Sequence, residues 1–195
     1  MEHDLNVIGA LVVALGDRTR DATEEAAGMS GAFPAAVVAL HEWAGGRTIE
    51  TLAGSLRLSH SRTVRVIDRL AADGLATRTR DPVDGRGVLV GLTPAGHDVG
   101  RRVLSARAAA LEAALESLGA GDRRAFAAAA EQVLAAAATG RRAARSICRL
   151  CDTHACGHHE GRCPTTIGAD AAEARQSGGG TAFSPSSSQS MCSRS

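Results

Sequence analysis

A change of hydrophobic period near residue 75 constrains the fold more than any other feature of this sequence. Before it, apolar residues recur at helical spacing, as Val64, Ile67 and Leu70 do. Over residues 75–80 the pattern alternates from one residue to the next, and after a stretch rich in turn formers it alternates again over residues 88–92. Such alternation predicts a β-hairpin. The fold must therefore hold one hairpin between helical segments.

Helices are predicted on the amino-terminal side of this hairpin. Residues 1–27 carry apolar residues every three or four positions, which predicts an amphipathic helix. Pro34 begins a second helix, which ends at the pair Gly45–Gly46. Thr48 and Ser59 each precede an apolar helical pattern, and their side-chain oxygens can cap two further helices.

The carboxyl-terminal side divides into helices, a Cys- and His-rich segment and a tail. Thr93 as cap and Pro94 as first helical residue open a long helix that reaches Leu118, and an Ala-rich helix follows. Residues 148–170 form the Cys- and His-rich segment. Residues 171–195 are rich in Gly and Ser, and we expect them to be disordered because they offer little apolar surface to bury.

Charge is distributed unevenly although the total is only +1. Residues 1–46 hold two Arg and seven acidic residues, whereas residues 47–87 hold eight Arg and five acidic residues. A local positive surplus is typical of a surface that binds the phosphate backbone of nucleic acid. Aromatic residues make up 2% of the chain, which disfavours recognition of single strands or sugars by stacking.

The order helix, short helix, tight turn, helix and basic hairpin predicts a winged helix-turn-helix, so the fold class is mainly α with a small β-hairpin (α+β). A basic helix face is by itself most often a solvated surface, but the basic hairpin beside it favours binding to double-stranded DNA. Helix residues would contact bases, and hairpin residues would contact phosphates. The predicted DNA-binding residues are Thr48, Ser59, Ser61, Arg62, Thr63, Arg65, Arg69, Arg78, Arg80 and Arg86.

Several short motifs in this region resemble the core of the MarR family of transcriptional regulators. They are Leu52-Ala53, Leu58-Ser59, Ser61, Val64, Asp68-Arg69-Leu70, Gly74-Leu75, Arg78, Asp81, Arg86 and Leu92-Thr93-Pro94-Ala95-Gly96. The resemblance implies a homodimer in which a winged domain (32–93) is flanked by dimerisation helices (1–31 and 94–147). It also implies a repressor that binds a pseudopalindromic operator. Release from DNA would follow the binding of a small phenolic or lipophilic ligand, or oxidation.

The resemblance also assigns a role to the hairpin tip. It makes Arg86 the residue that enters the minor groove, and Asp81 either orients Arg86 or forms the turn. Asp84 adds an acidic residue that the family's tips usually lack, which weakens the expected contact. Some oxidant-sensing members use a cysteine in the first helix, but this sequence has no cysteine before Cys148.

Four cysteines in residues 148–163 follow the spacing C-x2-C-x4-C-x6-C; they are Cys148, Cys151, Cys156 and Cys163. Four soft ligands this close can form a tetrahedral zinc site, and Cys163-Pro164 is also typical of iron–sulfur ligation. A reversible disulfide switch and free thiols without a role are the alternatives. His154, His158 and His159 are expected to be exposed and unligated, and Cys192 to be inert.

Apolar stripes on the first helix and on the helices after Pro94 exceed what a winged domain can cover, so we expect them to be buried in a second copy of the chain. A monomer in which these helices form a lid is the alternative. His41 and Trp43 on the second helix are interpreted as core residues.

The remaining functional alternatives are disfavoured. A metal- or redox-dependent enzyme using the cysteine cluster is the second hypothesis, but the sequence lacks a phosphate loop, a zinc-protease helix and a nucleophile elbow, so we predict no enzymatic activity. Residues 1–6 hold acids and no Lys or Arg, unlike a secretory signal, and the apolar run 7–15 is too short to span a bilayer. We therefore expect a cytoplasmic protein with no membrane partner.

Overall fold

The computed structural model describes residues 1–82 and 87–178, which are mostly helical with one small sheet. The helices are α1 (Glu2–Ala27), α2 (Phe33–Ala39), α3 (Ile49–Leu56), α4 (His60–Ala72), α5 (Pro94–Ala114), α6 (Ala120–Ala137), α7 (Arg141–Ile147) and α8 (Pro164–Gly178). The strands are β1 (Arg47–Thr48), β2 (Ala76–Arg80) and β3 (Val88–Leu92). A π-helical turn at Leu40–Ala44 follows α2, and a 3-10 turn at Cys148–Leu150 follows α7. The predicted fold class is confirmed.

The three strands form one antiparallel sheet in the order β1-β3-β2. The predicted hairpin is present, with Ala76 opposite Leu92 and Arg80 opposite Val88. The sequence did not predict β1, because two residues are too few to show an alternating pattern. Its place is set by β3, since Arg47 lies opposite Val90 across the ladder.

All three predicted helix caps are present. The Oγ1 of Thr48 accepts a hydrogen bond from the Thr51 amide at 3.4 Å, and the Oγ of Ser59 accepts one from the Arg62 amide at 3.3 Å. The Oγ1 of Thr93 accepts one from the Gly96 amide at 3.1 Å. Each such cap stabilises its helix by about 1 kcal/mol.

The start of α5 lies close against the turn that follows α4. The hydroxyl of Thr93 donates to the carbonyl oxygen of Gly74 at 2.8 Å, and the Thr93 amide donates to that of Leu75 at 3.0 Å. A Cβ on Gly96 would lie 2.0 Å from the Leu75 oxygen. Only glycine therefore fits at this point of the Leu-Thr-Pro-Ala-Gly motif, which fixes α5 against the winged domain.

The core is centred on α2, whose residues 34–39 are all buried. Helices α3 and α4 cover it with Leu52, Ile67 and Leu70, and Val103 of α5 and Val90 of β3 are also fully buried. One core therefore joins the helix-turn-helix, the sheet and the long helix α5, so the basic elements have a rigid support.

The structure corrects the sequence prediction at the carboxyl-terminal end. Helix α5 ends at Ala114 rather than Leu118, and α7 and α8 were not predicted as separate helices. Residues 171–178, predicted to be disordered, belong to α8 because it packs against α6, where Ala169 and Ala172 are buried. The rest of the predicted tail, with Cys192, lies outside the described residues.

In the part of the chain that the structure describes, no helix is both long and apolar enough to cross a membrane.

Candidate nucleic-acid interface

The helix-turn-helix is formed by α3, a tight turn and α4. Arg57 adopts the left-handed conformation with φ 56°, and the Leu58 amide donates to the Ala53 carbonyl oxygen at 3.1 Å. This turn reverses the chain so that α4 packs on α3. Helix α4 buries Val66 and Ile67 on its inner face and leaves its basic face exposed to solvent.

Three of the predicted arginines are exposed and free of ion pairs within residues 1–82 and 87–178: Arg62 and Arg65 on α4, and Arg80 at the end of β2. The guanidinium groups of these residues are not neutralised by a neighbouring carboxylate. They are therefore available to phosphates or base edges.

Arg78 and Arg69, in contrast, are paired within the protein. A guanidinium nitrogen of Arg78 lies 2.7 Å from Asp68 Oδ1, and Arg78 also donates to the Val64 carbonyl oxygen at 3.3 Å. Arg78 therefore ties the wing to α4. Arg69 pairs at 2.8 Å with Asp73, the residue that directly follows α4.

The amino-terminal end of α4 is exposed and polar. Ser59 and Ser61 are both exposed, and their hydroxyl oxygens are 3.2 Å apart. Helix amino termini carry unpaired amides and a partial positive charge, which suits contact with a phosphate. These two residues lie on the same end of α4 as Arg62.

The structure argues against direct contact with DNA for Thr63. Its side chain is fully buried, and its hydroxyl donates to the Ser59 carbonyl oxygen at 3.1 Å, so it fixes the first turn of α4 from inside. Thr48 is partly buried and is engaged as the cap of α3. Sequence position alone placed both near DNA, but helix rotation turns Thr63 inward.

The tip of the wing lies outside the described residues, and the assignments of Arg86 and Asp84 stay predictions. At its base, the Asp81 amide donates to the Gly87 carbonyl oxygen at 2.9 Å. This bond closes the hairpin directly after the end of β2 at Arg80.

The four predicted cysteines line one cavity of about 280 Å³, where they are free thiols. Helix α7 and its 3-10 turn supply Cys148, the following loop supplies Cys151 and Cys156, and Cys163 precedes α8. Trp43 and Arg47 line the same cavity from the winged domain. The fold thus brings the cysteine segment against the winged domain.

Hydrogen bonds and burial together set the acidities of these thiols. The Cys151 thiol and the Thr165 hydroxyl hydrogen-bond to the sulfur of Cys148 and, against the effect of burial, lower its pKa to about 6. The same bond raises the pKa of Cys151, because Cys151 holds the shared proton. Burial raises the pKa of Cys156 to about 11. Burial opposes ionisation of Cys163 too, but bonds from Thr165 and Thr166 outweigh it and lower its pKa.

A metal site is not preformed. Across residues 1–82 and 87–178, no three His, Cys, Asp or Glu side chains converge on a point that could hold a metal ion. The prediction of zinc or an iron–sulfur cluster at Cys148, Cys151, Cys156 and Cys163 therefore stays a prediction.

His41 and Trp43 lie at the junction of the winged domain and its neighbours. The Nδ1 atoms of His41 and His97 are 2.8 Å apart, and burial lowers the pKa of His41. Trp43 packs against the core, and its Nε1 is buried without a partner in the described structure. Both residues are partly buried, which agrees with their interpretation as packing residues.

Sequence reasoning missed the residues that attach the cysteine segment to the winged domain. Glu42 accepts hydrogen bonds from the amide and the hydroxyl of Thr153, at 2.7 Å and 2.5 Å. Glu42 and Thr153 are 111 residues apart, so no local pattern relates them. The one available signal in the sequence was Glu42 itself, an acidic residue next to His41 on an apolar helix.

This arrangement defines a winged-helix protein with a basic recognition helix and wing. A sequence profile of the MarR family matches residues 36–87. A MarR-family transcriptional regulator from Silicibacter pomeroyi is 30% identical, with 64% of this chain and 86% of that chain covered and a TM-score of 0.51. The chain belongs to the MarR family of transcriptional regulators.

Two further solved structures share the fold. The apo form of MarR from E. coli is 22% identical, with 65% of this chain and 96% of that chain covered and a TM-score of 0.55. CouR from Rhodococcus jostii, bound to p-coumaroyl-CoA, is 24% identical, with 65% and 90% covered and a TM-score of 0.52. No curated protein matches this sequence.

Proposed function

We propose that this protein is a homodimeric repressor that binds a pseudopalindromic operator in double-stranded DNA. In each copy, α4 would enter the major groove, and the wing would contact the adjacent backbone. The observation that carries this proposal is that Arg62 and Arg65 on α4 and Arg80 on the wing are exposed and lack partners among the described residues. Exposed arginines of this kind gain counterion-release free energy when they meet phosphates.

The Arg78 contacts support the proposal because they hold the wing beside α4. The Asp68 pair and the bond to the Val64 carbonyl fix β2 relative to the recognition helix at two points. A wing held in this way can meet the backbone without first paying an ordering cost. Arg78 is thus proposed to position the wing rather than to contact DNA.

The exposed apolar residues of α1 support the dimer. Leu5, Ile8 and Val12 follow helical spacing, and between 54% and 65% of each is exposed in a single chain. Val133 of α6 is 68% exposed. Helices with such stripes are stable in water when the stripes are covered, and MarR-family dimerisation would cover them with the same helices of a second copy.

We propose that release from the operator follows the binding of a small phenolic or lipophilic ligand or a change at the cysteine cavity. An open cavity of about 630 Å³ supports the first route. Its wall includes Leu15 of α1, Pro34 of α2, Leu56 of α3 and Arg107 of α5. A ligand there would touch both the dimerisation helices and the winged domain. Membership in a family of regulators disfavours the alternative of an enzyme.

The test is footprinting and salt-dependent binding with DNA from upstream of the gene that encodes the protein. We expect protection of two half-sites one helical turn apart and a log–log salt slope that reflects several phosphate contacts. Arg65→Ala should reduce discrimination between operator and a single-base variant by about 5- to 150-fold, because a bidentate base contact contributes about 1–3 kcal/mol. Salt-independent binding, or no binding to any duplex, would overturn the proposal.

A further inference from the structure

Helix α7 packs against the first helix of the helix-turn-helix in its own chain. It contacts α3, and a Cβ on Gly54 of α3 would be 3.8 Å from the Nε of Arg142 on α7. The family resemblance places residues 94–147 among the dimerisation helices. Residues 141–147 nevertheless lie beside the helix-turn-helix, which makes them candidates for a role at the DNA surface.

The three arginines of α7 are all exposed, but they differ in their partners. Arg141 is bound to α8, where a guanidinium nitrogen lies 2.5 Å from Asp170 Oδ1 and its amide donates to Glu173 Oε1 at 3.0 Å. Arg142 and Arg145 form no ion pair within the described residues. Because they are three residues apart, they lie on the same side of α7. Arg141 thus attaches α7 to α8, whereas the other two charges are not neutralised.

Each of these two arginines lines a cavity together with an unpaired arginine of the winged domain. Arg142 shares an open cavity of about 790 Å³ with Arg57, in the turn between α3 and α4. Arg145 shares the cysteine cavity with Arg47, one residue before the cap of α3. Arg47 and Arg57 are exposed and have no ion pair in the part of the chain that the structure describes. The two pairs therefore lie at opposite ends of α3.

Acidic residues do not compensate these charges. None of the residues that line either cavity is an aspartate or a glutamate. Glu50, the one acidic residue of α3, forms no ion pair within residues 1–82 and 87–178. Like charges gathered along one helix repel one another, so an anion that lies among them is bound favourably. We call this group the α3–α7 basic seam; its members are Arg47, Arg57, Arg142 and Arg145.

The position of the seam favours the backbone of a DNA duplex as that anion. In a helix-turn-helix the first helix crosses the DNA backbone, and the second lies in the major groove. Helix α3 is the first helix here, and the seam lies along it. Arg57 is also two residues before Ser59, the exposed cap of α4. A duplex that holds α4 in its groove therefore brings phosphates to the seam.

We propose that α7 is a further DNA-binding element, in which Arg142 and Arg145 bind phosphates of the strand that α3 crosses. Arg47 and Arg57 approach the same strand from the α3 side. The inference rests on the proposed function and adds to it a contact from the carboxyl-terminal part of the chain. Phosphates carry no sequence information, so α7 strengthens binding to every duplex and leaves the choice of operator to α4.

The experiment compares DNA binding by the full-length chain and by the double variant Arg142→Gln/Arg145→Gln over a series of salt concentrations. Glutamine removes the charge and is about as favourable in a helix as arginine. The proposed homodimer loses four guanidinium groups, so the slope of log K against log salt should be lower by about 3.6. Hydroxyl-radical footprinting at saturating protein should lose protection at the backbone positions that α7 covers and retain the rest.

Two further variants test whether charge is the cause. Arg142→Lys/Arg145→Lys keeps both charges, and it should keep most of the slope because lysine also binds phosphate. Arg175→Gln is the matched control: it removes an exposed arginine of α8 that has no ion pair among the described residues. It should leave the slope and the footprint unchanged. Circular dichroism checks that each variant folds.

Three results would overturn the inference. The first is an unchanged slope and footprint in the glutamine double variant. The second is an equal loss in the lysine double variant, which would assign the effect to the packing of α7 rather than to its charge. The third is an equal loss in Arg175→Gln, which would assign it to the overall charge of the chain.

These failures differ from a failure of the proposed function. If the proposed function is wrong, the unmodified chain binds no duplex or binds without dependence on salt. If only the role of α7 is wrong, the unmodified chain still binds its operator with a steep dependence on salt, and the glutamine double variant does the same.

Discussion

Replacement of Arg80 by alanine tests the proposed DNA surface most directly. Arg80 is exposed at the end of β2 and has no ion pair in the described residues, so its removal breaks no contact that stabilises the fold. Because the proposed homodimer contains two copies of the chain, the substitution removes two such guanidinium groups from it. Each phosphate contact contributes about 0.9 to the slope of log K against log salt, so Arg80→Ala should lower that slope by about 1.8.

The same relation gives the loss of affinity. At about 0.1 M salt, two contacts of this kind correspond to roughly a 60-fold weaker binding constant, because each adds a factor of about 8 relative to 1 M salt. The loss should be nearly equal for operator and non-operator duplexes, since phosphates carry no sequence information.

Fluorescence anisotropy with a labelled duplex, measured over a series of salt concentrations, checks this prediction. Arg101→Ala is the matched control, because Arg101 is an exposed arginine on α5 that is already paired with Asp98. An Arg80→Ala protein that folds normally and keeps the unmodified slope and affinity would refute the assignment of the wing to the DNA backbone.

Three further predictions concern the rest of the molecule. Val12→Glu should place a charge in the proposed dimer interface and give monomers by light scattering. Val88→Glu, on the exposed face of β3, is the control and should leave the dimer intact. A dimeric Val12→Glu protein would exclude α1 from the interface. Gly168→Ala should cost about 1–3 kcal/mol of unfolding free energy in urea, because its Cβ would lie 2.0 Å from the Ala135 carbonyl oxygen. Gly121→Ala on α6, with open space around it, is the control, and equal stability of the two variants would contradict the packing of α8 on α6. Burial lowers the pKa of His41 below its ordinary 6.5, so the unfolded chain binds this proton more readily, and folding stability should fall as pH decreases below about 6.5. His41→Asn should lose less stability between about pH 7 and pH 5, and an unchanged loss would show that another group is responsible.

The predictions that held depended on interactions between residues close in sequence. The caps at Thr48, Ser59 and Thr93 each bond an amide three residues away, and the hairpin register follows from alternation within two five-residue strands. Amphipathic spacing likewise placed α1 and α4 correctly. Such features can be predicted from the sequence because the interactions that stabilise them are formed between residues a few positions apart.

Tertiary contacts decided the features that the sequence could not specify. Thr63 proved to be buried because α4 turns it toward the core, and Arg78 proved to be paired because the wing folds back onto Asp68. Helix α8 formed in a segment of weak apolar pattern because α6 covers its small residues.

The sequence by itself determined the winged helix-turn-helix and the four-cysteine segment, since local periodicity, caps and residue spacing suffice for these, and its motif residues carried the resemblance to MarR-type regulators. Only the tertiary structure decided which arginines are free and which are paired. It also decided that Cys148 and Cys151 share a cavity with Trp43 and Arg47. The physical reason is that these contacts join residues distant along the chain, and chain folding alone sets their distances.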